Sequence, residues 1–209
     1  MTGILLTDFY MMRKQLALGA GIAVVYLVIG IVNHSAWSLV TFLMIFAAIL
    51  PINIFYYNDQ CQWDLYVNTL PVRRKDYVNA KFAFVFLLVL AALIFGLVGI
   101  SLDNLIHSAP LLENVDYALI TSTGGLVYAS VFLALIMKMG SERARIFMIA
   151  LIFIPAIAVL TLPKMGIDLG HLLEIADPHI FIPLGAAAAF AVILIAYLFC
   201  LKFYKQKEL

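Results

Sequence analysis

The sequence predicts an all-α polytopic membrane protein with six transmembrane helices, an amphipathic in-plane helix at the N-terminus, and a cytosolic helix between spans two and three. Three observations predict it. The 209 residues are 65% hydrophobic and 12% charged, half the charge of an ordinary soluble domain, where it is about 25%. Mean hydropathy is +1.07. The charges fall between long apolar runs, and the basic ones collect in alternate connections. A large soluble core is thereby excluded, because runs of spanning length use most of the chain.

Each apolar run reaches the length of about 20 residues that a bilayer core demands. Spans are expected at 15–32, 39–57, 82–100, 117–137, 146–162 and 181–201. Asn33 to Ser38 is a short connection, so the first two spans form a hairpin. Pro51, Pro155 and Pro183 lie inside or at the ends of spans, where kinks are tolerated. Every lysine and arginine except Lys164 falls in the N-terminal segment, in the connections after spans two and four, or in the C-terminal tail. The basic side is the cytosolic one, so both termini are expected inside. Cys61 and Cys200 are widely separated and read as reduced thiols near that face. The first apolar run has spanning length and no small-residue cleavage site, so no cleavable signal peptide is expected.

Residues 1–14 place Leu5, Phe9 and Met12 on one helical face, with Leu16 just beyond, and end in Arg13 and Lys14. This pattern suits an in-plane helix among anionic headgroups. The densest charge of the chain lies in 58–80, where Trp63, Tyr66, Val67 and Leu70 recur at i, i+3, i+4 and i+7, one helical face. Leu70-Pro71 breaks the pattern, because a residue before proline disfavours helical geometry. A second helix is expected to start near Pro71 and run through Arg73, Arg74 and Lys81 into span three. An interfacial anchor and a docking element both fit this pattern.

Here the sequence resembles a known family. In "YYNDQCQWDLYVNTLPVRRKDYVNAKF", residues 56 to 82, Tyr57, Asp59, Trp63, Asp64, Leu70, Pro71, Arg73, Val78 and Lys81 match the signature of bacterial type-2 ABC exporter permeases. Gln60 departs from it, standing where the family often has a second acid. The resemblance implies a coupling helix seated in a groove of a separate cytosolic ABC ATPase, with Asp59, Trp63, Asp64, Tyr66, Val67, Leu70, Pro71, Arg73 and Arg74 as contacts. It implies ATP and magnesium in that partner and no cofactor or metal on this chain. It also implies a second permease, identical or related, to complete the assembly. The chain is similar in size and plan to permeases that export phenol-soluble modulins and antimicrobial peptides. An amphipathic peptide is therefore the first expected cargo and a lipophilic drug the second.

Other constellations are weaker. Asn53 and the Thr121-Ser122-Thr123 run are polar groups within spans. They need a protein partner or a pathway in lipid. Gly96, Gly99, Gly125 and Ala129 allow close helix approach. All four histidines fall in outer segments. His171, Glu174, Asp177 and His179 lie in an outer region, 163–180, that reads as a loop or, as the resemblance implies, as re-entrant helices. His and Glu three apart could share a metal, although polar outer loops also collect such residues. No P-loop and no nucleic-acid motif is present, so the chain is not expected to be an enzyme. No acid or base stands deep in an expected span, which disfavours an ion-coupled secondary transporter. A non-transporting immunity protein remains a further alternative.

Overall fold

The computed structural model describes residues 2–63, 66–67, 73–110, 114–161 and 178–206. Among the described residues six helices follow one another: α1 Thr2–Val32, α2 Trp37–Gln60, α3 Arg74–Ile106, α4 Val115–Met139, α5 Ser141–Thr161 and α6 Pro178–Gln206. No strand occurs among the described residues. Among the described residues, five stretches are long and apolar enough to cross a bilayer: Gly3–Val32, Trp37–Gln60, Arg74–Ile106, Val115–Met139 and Gly185–Tyr204. The fifth helix, α5, has 21 residues and opens with Glu142, Arg143 and Arg145.

Every helix begins before its expected span, and α2, α3, α4 and α6 also run past its end. Hydropathy marks only the residues bathed in hydrocarbon, whereas backbone hydrogen bonding continues into the interface. The largest overrun corrects an expectation: residues 2–14 are no separate helix but the first turns of α1, a continuous run of 31 residues. Likewise α3 begins at Arg74, eight residues before the expected span, and has 33 residues.

α2, α3 and α4 form the centre, with α1 on α2 and α3, α5 on α4 and α2, and α6 on α4 and α3. Small residues set the spacing. A β-carbon on Gly96 of α3 would lie 2.9 Å from Val40 Cγ2 of α2, and one on Gly99 would overlap Leu39 Cδ2. A β-carbon on Gly125 of α4 would lie 3.5 Å from Met44 Cβ of α2, ordinary contact distance. In lipid, such close approach supplies the dispersion contact that holds helices together. Pro51 is accommodated inside α2. Between α4 and α5 the chain turns at Gly140, whose φ of +82° a side chain would disfavour.

Candidate functional site: the junction at the head of α3

The central segment enters α3 through Arg73, whose backbone is extended (φ −71°, ψ 140°). From there the first turns of α3 are tied to three other helices. Arg74 Nη1 donates to the Tyr204 carbonyl of α6 at 3.4 Å. The Tyr77 ring stacks on Tyr204, centroids 4.7 Å apart and 13° from parallel. Tyr197 of α6 donates to Asn79 Oδ1 at 2.7 Å and meets Phe82 edge to face. On α2, Asn58 Nδ2 lies 3.5 Å from the Tyr77 hydroxyl.

The strongest tie reaches α1. Lys81 Nζ donates to both carboxylate oxygens of Asp8, at 2.7 and 2.8 Å. Only 1% of Asp8 and 2% of Lys81 is exposed. The ammonium also lies over the rings of Phe55 and Tyr77, 5.4 and 5.1 Å from their centroids, where the negative ring faces favour a cation. A buried pair of this kind is costly to break, because either charge left behind is desolvated. Sequence reasoning missed it. The sequence pattern places Asp8 in a headgroup helix and Lys81 in a cytosolic connection, apart from each other. The available signal was that Asp8 is the only acid before Asp59.

A second junction joins the end of α2 to the head of α5. Asp59 Oδ2 accepts from the Ser141 hydroxyl and from the Ser141 backbone N–H, the latter at 3.3 Å. A carboxylate at a helix N-terminus meets orphan N–H groups and the positive end of the dipole. Arg145 lies over the Tyr56 ring, 4.4 Å from its centroid. The motif acid Asp59 thus serves an internal contact between the two basic connections.

The expected single face of the central helix divides. Trp63, Tyr66 and Val67 are helical. Val67 is buried and Trp63 half-buried, both packed on the main apolar core. Tyr66, in contrast, is 55% exposed, though its ring lies 5.3 Å from that of Trp63. Positions i and i+4 face inward here, and i+3 turns away. Arg73, Arg74 and Lys75 are exposed. Asp64, Leu70 and Pro71 lie outside the described residues, as do residues 163–177 with His171, Glu174 and Asp177.

The polar residues expected within spans do not converge. Asn53 Nδ2 donates to Gln15 Oε1 across the α1–α2 contact at 3.1 Å. Ser122 and Thr123 return their hydroxyls to the Leu119 carbonyl of their own helix, at 2.9 and 2.8 Å. Thr121 is half-buried on the same turn. A cavity of about 270 Å³ instead opens between α1, α2 and α3. Its lining is wholly apolar and includes Val24, Leu27, Leu43, Phe46, Leu88 and Phe95, and none of these four polar residues contributes to it. Cys61 and Cys200 are free thiols, the first exposed and the second buried.

Residues 3–205 match a family model described as "ABC-2 family transporter protein". No curated protein and no solved structure matches the chain.

Proposed function

Because this chain belongs to the ABC-2 family of transporter proteins, a membrane transport component associated with an ABC ATPase, we propose that it is the permease subunit of an ATP-driven exporter. In this reading the basic face is cytosolic, α5 is also a span, fifth in chain order, which brings the total to six, and two permeases pair with two ATPases in a cell membrane. The segment from residue 58 to 80 is the coupling element. The observation that carries the reading is the junction at the head of α3. A segment that enters α3 directly, where α3 is bonded to α1, α2 and α6, can turn a partner's displacement into movement of several spans together.

The partner contact proposed here is narrower than the motif. Tyr66 offers an exposed aromatic anchor, and Arg73, Arg74 and Lys75 offer exposed cations for lipid phosphates or partner acids. Trp63 and Val67 hold the helix against the permease core. Asp59 fixes the second basic connection beside the first. Leu70-Pro71 is the joint. When the ATPases bind ATP and close, the helix is drawn with them, α3 turns as a lever, and the pathway moves from inward to outward access.

The cargo proposed is an amphipathic peptide, with a lipophilic drug as the second reading. The apolar cavity between α1, α2 and α3 suits the apolar side of either. Reconstituted inside-out vesicles carrying the chain and its ATPase test this. ATP-dependent uptake of an amphipathic helical peptide, abolished by a non-hydrolysable nucleotide, is expected. Uptake that follows an imposed proton or sodium gradient without ATP contradicts the proposal.

A further inference from the structure

At the end of the bundle remote from the basic residues, three side chains from two segments converge. His34 stands in the turn between α1 and α2, and Asp103 and His107 stand four apart at the C-terminal end of α3. One ligand atom from each lies within 4.8 Å of the other two. His107 Nδ1 is 3.0 Å from Asp103 Oδ1, and the His34 and His107 ring centroids are 3.2 Å apart. We propose that His34, Asp103 and His107 form a binding site for a divalent transition-metal ion of the zinc type.

The donor set is the first argument. Two imidazoles and one carboxylate are borderline donors that suit zinc, copper or nickel and do not suit calcium or magnesium, which demand oxygen. Geometry is the second. Ligands about 2.1 Å from a tetrahedral ion stand about 3.4 Å apart. The His107–Asp103 separation is already close to that, and a ring nitrogen of His34 lies within 4.8 Å of both.

The backbone around the site is set. Ser35 N–H donates to the Gly30 carbonyl at 2.8 Å, His107 N–H to the Asp103 carbonyl at 3.1 Å, and Ala109 N–H to the Asn104 carbonyl at 2.9 Å. Asp103 is buried and His34 exposed, so the carboxylate forms the floor and a fourth coordination position faces outward. A bound ion ties the α1–α2 turn to the end of α3. It thus fastens the far end of the helix whose near end receives the coupling segment, and only this consequence depends on the exporter reading.

The test uses the full chain, purified in mild detergent with a tag free of histidine, and Zn²⁺ titrated by calorimetry in a non-chelating buffer. One ion per chain is expected, with micromolar or tighter affinity and a rise in melting temperature. His34→Asn, which retains a residue tolerant of positive φ, and His107→Ala each weaken binding by about 10-fold or more. A His171→Ala/His179→Ala variant binds as the wild type does. If either single variant fails to fold, zinc-edge absorption on the wild type decides, with two imidazole nitrogens and a carboxylate oxygen expected. The proposal is overturned by absence of binding, by unchanged binding in both single variants, by transfer of the loss to the His171/His179 variant, or by a zinc shell without imidazole.

Discussion

The first turns of α3 and its middle turns meet their neighbours by different means. At the head, an ion pair, a stacked tyrosine pair and several hydrogen bonds fasten it to α1, α2 and α6. In the middle, Gly96 and Gly99 lie flat against Val40 and Leu39, with shape alone between them. Directional bonds resist sliding and rotation, whereas apolar surfaces in lipid resist only separation. The difference teaches that α3 is held by directional bonds at its head and by close packing alone in its middle.

The sharpest break in that contrast is Asp8→Ala. It removes the carboxylate that faces the buried Lys81 ammonium, and a loss of about 3–5 kcal/mol is expected, read as a lowered midpoint in thermal or denaturant unfolding in detergent. Replacing both partners, Asp8→Leu with Lys81→Met, recovers most of that loss because no buried charge remains. A double variant no more stable than the single one contradicts the ion-pair account.

Gly96→Ala tests the smooth middle. The added methyl meets Val40, whose branched side chain has little freedom to move, and overpacking costs about 1–3 kcal/mol. Gly99→Ala meets the end of a Leu39 side chain, which rotates away more readily, and costs less. Equal effects at the two positions would argue against packing as the cause.

Ser141→Ala removes the hydroxyl bonded to Asp59 and costs about 1 kcal/mol. Hydrogen exchange at the start of α5 rises accordingly. Unchanged exchange would show that the α2–α5 junction does not depend on this bond. The smallest effect on stability belongs to Tyr66→Ala, within about 0.5 kcal/mol, since the ring is largely exposed. Trp63→Ala costs more, because that ring packs on the core. If Tyr66→Ala destabilises more than Trp63→Ala, the inward and outward faces of this segment have been exchanged.

Much of the helix plan was legible because it depends on sums. Each expected span stands within one helix wherever residues are described, and the boundary errors lie at the interfaces where hydropathy falls but helical bonding persists. Pairwise facts were not legible. Asp8 and Lys81 are 73 residues apart in sequence and Asp59 and Ser141 are 82 apart, and no local pattern announces such a partner. The helical face of Trp63, Tyr66 and Val67 was drawn from periodicity, which specifies which residues are neighbours but not which side meets the core. The packing glycines were readable, since only a small residue lets α3 approach α2 so closely. The four polar candidates Asn53, Thr121, Ser122 and Thr123 were chosen by depth alone, and three of them have partners that depth does not reveal: Gln15 for Asn53, and the Leu119 carbonyl for Ser122 and Thr123.

Co-purification tests the central claim most directly. The chain carries a C-terminal tag, native membranes are solubilised in several mild detergents, and stoichiometric partners are identified by mass spectrometry for the wild type and for Tyr66→Ala. The account predicts a P-loop ATPase with the wild type and a clear loss of it with Tyr66→Ala, at equal permease yield and unchanged elution. Absence of any such ATPase from the wild type in every detergent, or its full retention by Tyr66→Ala, would contradict it.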